Sequence, residues 1–304
     1  MVKVQRTLMG TLWTIEASDR GRPEAAHRAI EAAFAELDRI DQMMSEWKPA
    51  SPISQVNAAA GDHPVAVPAE LRDMLLRSVD YSKASEGSFD ITWRGMGRIW
   101  RFDDSFRVPT RDEVAAARQR IDYRKIEIRG DLVYLPQHMN IGLGGIAKGY
   151  AVDRAMRVLR DQGYDNVLVN GGGDVAVHGT RLGKPWTLGV QHPRKEHGEL
   201  LGALALQDGV LVTSGDYERF RMVDGVRYHH IIDPRTGWPA TAASSVTVIA
   251  PSAELGVVLA KAIFILGPEK GLRLASDRKL EALLIDPQGR EFKTPGFPHF
   301  LSPQ

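Results

Sequence analysis

Residues 140–153, NIGLGGIAKGYAVD, constrain the fold of this chain more than any other stretch. Gly142, Gly144 and Gly145 crowd into one turn of chain, and Gly149 follows directly after Lys148. Beyond them, Tyr150, Ala151, Val152, Ala155, Met156 and Val158 continue as a small and apolar set at helical spacing. The pattern is a glycine-rich loop feeding an amphipathic helix. Such a loop lets the backbone approach an anion closely, and the start of the helix offers N–H groups with no partner inside the helix. Lys148 adds a mobile positive charge beside them. Two readings stand together at this point: a site for a phosphorylated ligand, or a tight strand-to-helix turn with an exposed Lys. The stretch has neither the GxxxxGK[ST] spacing of a Walker loop nor the usual GxGxxG fingerprint.

Composition removes several function classes. The 39 basic and 38 acidic residues leave a net charge of +1. No block of like charge forms a nucleic-acid arm, so nucleic acid is not implied as a partner. There is no cysteine, which excludes disulfides, thiolate metal sites and Cys nucleophiles. No apolar run approaches about 18 residues, so no membrane span is expected. The first residues lack the apolar core of a secretory signal, and the expectation is a cytoplasmic protein.

Along the chain, residues 2–17 read as two short strands meeting at Gly10. Pro23 opens a helix to about residue 44, with Ala26, Ile30, Ala33, Phe34, Leu37, Ile40 and Met44 on one face. The stretch 45–54 reads as a Pro- and Ser-rich loop, in which Trp47 is either a lid or a stray core anchor. A helix over 68–86 ends at Gly87. Phe89, Trp93, Trp100 and Phe102 cluster around Asp90 and Thr92. This set suits a flat ligand ring, or simply core. A hairpin turns at Arg129-Gly130-Asp131. Residues 166–170 form a buried strand running into Gly171-Gly172-Gly173-Asp174, where three glycines mark close backbone approach or a bulge. Residues 214–219 read as a polar turn. A hairpin crosses Asp224-Gly225, and a late helix over 253–266 stops at Gly267-Pro268. Irregular alternation with several hairpins predicts an α+β fold with largely antiparallel sheets. Residues 1–304 are taken as one domain, with two intertwined subdomains as a variant of that arrangement.

Outside the glycine loop, the sharpest cluster is Tyr228-His229-His230-Ile231-Ile232-Asp233-Pro234-Arg235-Thr236-Gly237. Strand alternation puts His229 and His230 on opposite faces, so they cannot share a metal. One of them is placed to accept a proton near neutral pH; the plain alternative is a pair of strand-edge histidines. Ser214 lacks the GxSxG elbow of a nucleophile and fits a capping or turn role. Separated loops carrying Gly, His, Asp, Lys and Arg beside aromatic residues suit a dinucleotide with a flat ring and a pyrophosphate.

Seven motifs then fall in a known order. LMGT at 8–11, MSEW at 44–47, GSFDIT at 87–92, GGIAKGYAVD at 144–153, NGGGD at 170–174, TSGDYER at 213–219 and HIIDPRTG at 230–237 resemble the ApbE-type FAD:protein FMN transferases, over nearly the whole chain. The resemblance implies cleavage of the FAD pyrophosphate, release of AMP, and FMN left as a phosphoester on a Thr or Ser of a target protein. FAD is then both substrate and flavin donor. By the same resemblance Met9, Trp47, Ser88, Phe89, Asp90, Gly142, Gly145, Lys148 and Ile231 line the flavin nucleotide, and His230 activates the acceptor hydroxyl.

The departures from that pattern concern charge. The family usually has an Asp where this chain has Gly142. In the late helix it usually reads Asp-x-x-x-Thr, where this chain has Val257 and Lys261. The family normally uses Mg²⁺ on the phosphates. Val257 cannot ligate it and a protonated Lys261 repels it, which leaves the Gly145 carbonyl alone. No metal-ligating residue is therefore assigned. The expectation is that Lys261 takes over the cation's role beside Lys148, with Glu254 two turns away as a possible ion-pair partner; a Lys snorkelling from a half-exposed helix is the plain alternative. A flavin-nucleotide-binding protein without transfer, and an FAD pyrophosphatase that uses water, are the competing activities.

Overall fold

Met9 and Gly10 both take positive φ (49° and 72°), the backbone shape of a two-residue hairpin turn. They join β1 (Val2–Leu8) to β2 (Thr11–Ala17), with Leu8 opposite Thr11. The structure, a computed structural model, describes residues 1–196 and 198–301. α1 (Pro23–Met44) starts on a Pro in its first turn and buries Ala26, Ile30, Ala33, Phe34, Leu37, Ile40 and Met44 along one face, as the periodicity predicts.

The stretch expected as loop up to residue 54 instead starts a helix, α2 (Pro52–Ala58). Ser51 caps it by accepting from the Ser54 amide at 3.1 Å, and Pro52 supplies the preset φ of a first helical residue. β3 (Val65–Ala66), α3 (Ala69–Ala84), α4 (Arg111–Arg118), β4 (Glu127–Arg129) and β5 (Leu132–Tyr134) follow, and β3, β5 and β4 make a small sheet. α5 (Ala147–Asp161) is the helix fed by the glycine loop.

The remaining elements are β6 (Val167–Gly171), β7 (Asp174–His178), β8 (Trp186–Gln191), β9 (Leu200–Leu206), β10 (Gly209–Gly215), β11 (Phe220–Val223), β12 (Val226–His229), β13 (Ser245–Ala250), α6 (Ala253–Asp277), β14 (Glu281–Ile285) and β15 (Glu291–Lys293). An eight-stranded sheet runs β1-β2-β6-β7-β10-β13-β14-β15, so its spatial order rises with chain order. Every neighbouring pair in it is antiparallel. The fold is thus α+β with largely antiparallel pairing. β10 extends to Gly215 and sets Ser214 opposite Val246, so Ser214 belongs to the sheet and not to the polar turn expected at 214–219.

α1 packs on α5, α5 on α6, and α6 lies across β10 and β13. These helices and the sheet enclose the main core, which includes Trp13, Ile15, Phe34, Val169, Val212, Val246 and Phe264. The β8–β9 ribbon covers a second apolar cluster, where Trp186, Leu188, Val190 and Leu204 meet Val177, Leu211 and Leu283 of the large sheet. A third cluster surrounds Trp100, which stacks on Phe102 and Tyr228. α6 is broken where the sequence places its end: Gly267 has φ 80° and ψ −175°, directly before Pro268. Among the described residues no helix is long and apolar enough to cross a membrane.

Candidate functional site

Residues 141–147 are pinned from three sides. Asn57 of α2 donates to the Ile141 carbonyl at 2.8 Å and accepts from the Ile141 amide at 2.7 Å. The Gly142 amide donates to the Ile91 carbonyl at 2.8 Å. The Leu143 amide donates to Glu46 at 2.9 Å. With the loop backbone fixed this way, Lys148 emerges at the start of α5 and its ammonium lies 3.2 Å from the Asp174 carboxylate. Asp174 itself is buried at the start of β7.

The close crossing of α5 and α6 brings the second lysine to the same place. A Cβ at Gly149 would overlap the Ala253 carbonyl and stand 2.7 Å from Val257 Cγ2, so only Gly lets the helices approach this far. Asp153, one turn on, accepts from the Ala253 and Glu254 amides at 2.7 and 2.9 Å and caps α6 from outside its own chain segment. Burial pushes the Asp153 carboxyl up to about 6. Gly145 sits where a Cβ would lie 3.2 Å from the Phe89 ring and 3.8 Å from Lys261 Cδ. The glycine loop, Phe89, Lys148, Asp174 and Lys261 therefore converge.

The Lys261 ammonium donates to the Val257 carbonyl at 3.1 Å. Its pKa is lowered from 10.5 to about 8, first by burial, with Lys148 adding to the shift and Asp174 opposing it. The partly buried ammonium turns back to its own helix, which speaks against the snorkelling alternative. The expected Glu254–Lys261 pair does not form. Glu254 is held by Arg77 through two contacts of 2.8 and 2.9 Å and by the Tyr81 hydroxyl at 3.1 Å, since it projects from the first turn of α6 towards α3.

The NGGGD turn reaches the same region from the sheet. The Gly172 amide donates to the Leu12 carbonyl at 3.0 Å, and the Gly173 amide donates to Asn170 Oδ1 at 2.8 Å. Gly172 and Gly173 have φ of 63° and 97°, so this turn needs the glycines that the sequence supplies. Its contact with Leu12 packs it against the hairpin that carries Met9.

The two histidines have opposite fates. His229 is buried, its Nε2–H donates to the Ala240 carbonyl at 2.7 Å, and its Nδ1 accepts from the Ile231 amide at 3.2 Å. Both ring nitrogens are thus used structurally. His230 hangs from the Arg219 carbonyl by its own amide at 3.1 Å, and its Nδ1 is buried without a partner among the described residues. Its pKa is lowered to about 3, first by burial, then by His229, Lys261 and Arg219. So low a pKa leaves the ring neutral at physiological pH, and a neutral imidazole carries one nitrogen without a proton.

The other expected positions are placed as follows. Ser88 is buried and donates to the Ser85 carbonyl at 2.8 Å. Asp90 accepts from the Thr92 amide, the Thr92 hydroxyl and the Tyr123 amide at 2.8, 2.7 and 3.0 Å, and burial raises its pKa. Both side chains are committed to the turn that presents Phe89. Ile231 is buried in the main core and accepts from the Ala240 amide at 3.0 Å. Trp47 is 76% exposed, so it is no core anchor.

The donor set does not fit Mg²⁺. At the three side-chain positions where the family pattern supplies oxygen, Gly142 and Val257 have none and Lys261 brings an ammonium that already occupies the Val257 carbonyl. A hard dication needs several oxygen ligands. Sequence reasoning also passed over Asn57, Arg94 and Glu46, which hold or flank the glycine loop. An Asn three residues into the last turn of a short helix carries no distinguishing local signal.

Residues 9–284 match the ApbE family. The chain is 32% identical over 303 residues to an FAD:protein FMN transferase of Treponema pallidum, covering 93% of this chain and 84% of that protein. It is 31% identical over 307 residues to an FAD:protein FMN transferase of Klebsiella pneumoniae, covering 97% and 86%. Among solved structures, the ApbE protein of Thermotoga maritima superposes with a TM-score of 0.88 at 30% identity, over 97% of both chains. The flavin transferase ApbE of Vibrio cholerae does so with 0.85 at 27% identity, over 99% of both.

Proposed function

The chain belongs to the ApbE family, and on that basis we propose that it transfers FMN from FAD to a Thr or Ser hydroxyl of a target protein, with Lys261 supplying the positive charge that a divalent cation otherwise brings. The observation that carries this reading is the position of the Lys261 ammonium. It is held 3.1 Å from the Val257 carbonyl, flanking Gly145 and electrostatically coupled to Lys148 and Asp174.

The step is a phosphoryl transfer. The acceptor hydroxyl oxygen forms a bond to the phosphorus on the flavin side of the pyrophosphate. The bond from that phosphorus to the bridging oxygen breaks, and AMP leaves. His230 takes the hydroxyl proton. With its pKa held near 3 by burial and surrounding cations, His230 is a weak base in the free protein. The FAD pyrophosphate offsets the cations, the lesser part of that shift, and so raises its basicity in part. Lys148 and Lys261 neutralise charge on the phosphate oxygens, which is the main demand of such a transition state.

The test is to incubate the protein with FAD and a peptide carrying an acceptor Thr, once with Mg²⁺ and once with EDTA. Covalent flavin on the peptide under both conditions is the expected result. AMP and free FMN without labelled peptide would indicate hydrolysis, and bound but intact FAD would indicate a binding protein. Flavin transfer seen only with Mg²⁺ would overturn the role of Lys261.

A further inference from the structure

The chain changes partner at His229 and His230. Up to this point it pairs with β11: Phe220 lies opposite His229, and the His230 amide still reaches the Arg219 carbonyl at 3.1 Å. One residue later it has left that ribbon. The Ile231 carbonyl accepts from the Ala240 amide at 3.0 Å, and Ile232 forms an isolated bridge with Pro239. His230 therefore sits between two ladders, and its direction depends on how the chain turns from one to the other. The buried His229 imidazole spans that turn. Its Nδ1 accepts from the Ile231 amide at 3.2 Å, and its Nε2–H donates to the Ala240 carbonyl at 2.7 Å. Ala240 is thus gripped twice, by its amide and by its carbonyl. The ring also packs edge-on against Phe264, with centroids 5.6 Å apart at 74°. Phe264 is fully buried and lies three residues beyond Lys261 on α6. An amide can only donate and a carbonyl only accept, so these bonds require the neutral ring with its proton on Nε2. Burial, the first cause of a lowered His229 pKa, preserves that form.

We propose that His229 is a positioning residue for the transfer: its imidazole locks the turn that aims His230 and ties that turn to the helix bearing Lys261. This rests on the reading of His230 as the base for the acceptor hydroxyl. A base must stand within hydrogen-bond reach of the proton it takes, so the backbone that carries it has to be held. The two opposed nitrogens of an imidazole suit this turn. An Asn oxygen would accept from an amide two residues on, as in an Asx turn, but is too short for the Ala240 carbonyl. A Gln amide reaches that carbonyl but lacks the local acceptor for Ile231.

A double-mutant cycle with His230 tests this. At saturating FAD, His229→Leu should lower kcat for flavinylation of a peptide carrying an acceptor Thr by about 10²-fold, the scale of a slightly misplaced reacting group, with FAD affinity within about twofold of wild type. His229→Asn and His229→Gln each restore one of the two bonds and should recover part of that loss. They also carry the test if the Leu variant, which leaves two buried backbone groups unpaired, does not fold. In a His230→Asn background the same substitutions should cost less than about twofold, because the residue they aim is gone. Equal factors in both backgrounds, or a parallel loss of FAD affinity and rate, would make His229 merely structural and overturn the proposal. Full activity of the Asn and Gln variants would overturn it as well. If His230→Asn itself transfers flavin at the wild-type rate, the reading of His230 as the base falls, and the role of His229 with it.

Discussion

The Lys261 ammonium donates to the carbonyl oxygen of Val257, one turn back along α6, at 3.1 Å. Long helical side chains lean towards the helix N-terminus, and here that lean directs a charge towards Lys148 and Asp174. A tethered cation needs no entry path or assembly of ligands. Its cost is desolvation, which appears as the lowered pKa of Lys261.

Lys261→Met should separate activity from stability. Transfer should fall by roughly 10²–10³, the scale of losing one preorganised electrostatic contact. The melting temperature should rise, because removing a buried ammonium relieves about 1–3 kcal/mol. Peptide flavinylation and thermal unfolding read the two effects. A fall in both would contradict the account of Lys261 as a desolvated charge.

Restoring the oxygen ligands should change the metal requirement. Wild-type transfer should be insensitive to EDTA. In Val257→Asp/Lys261→Thr, transfer should be low without metal and rise on adding Mg²⁺, since a carboxylate and a hydroxyl replace the ammonium. Titrating Mg²⁺ against the flavinylation rate checks this.

The pH dependences of activity and stability should run in opposite directions. If Lys261 acts as a cation, its folded pKa, lowered from 10.5 to about 8, means that transfer should decline as pH rises through that value. Between about 8 and 10.5 the unfolded chain holds the proton that the folded one has lost. Stability from this group therefore rises with pH over that window. Rate profiles and unfolding at matched pH decide it, and Lys261→Arg should carry the activity limb to higher pH.

For His230, Asn retains polarity and approximate shape but cannot take a proton at the same place. His230→Asn should lower transfer by about 10²–10⁴, with FAD affinity retained. Equal loss of binding, measured by flavin fluorescence, would make His230 a positioning residue.

Gly149→Ala tests the helix crossing. The added methyl has nowhere to go between α5 and the Ala253–Val257 turn, and overpacking of this kind costs about 1–3 kcal/mol. Because Lys148 is the adjacent residue, transfer should fall more than stability alone explains. A variant with wild-type melting and activity would show that the crossing is not tight.

Much of the scaffold was legible because local signals decide it. Pro23 and an apolar stripe set the bounds of α1, Met9-Gly10 and Asp224-Gly225 mark hairpins, and Gly267-Pro268 breaks α6. α2 was missed because Ser and Pro weigh towards loop in composition, although Ser51-Pro52 is a helix start when read by position. Within the site, the glycine loop and its lysines stand out as a sequence pattern. What holds them does not. Glu254 finds Arg77 rather than Lys261, and Asn57 finds Ile141. Such choices depend on which distant surfaces the fold brings together, and no spacing rule encodes them.

The rising strand order of the large sheet bears on how the protein is made. As the chain leaves the ribosome, each new strand of the sheet meets the edge of one already synthesised, from β2 to β6 and on to β15. The ribbon β8–β9 and the hairpin β11–β12 are excursions that return to the growing edge. Lys261 lies on α6, between β13 and β14, so its charge arrives after every other element named in the site. A nascent chain can build most of this sheet before Lys261 joins the residues gathered around the glycine loop.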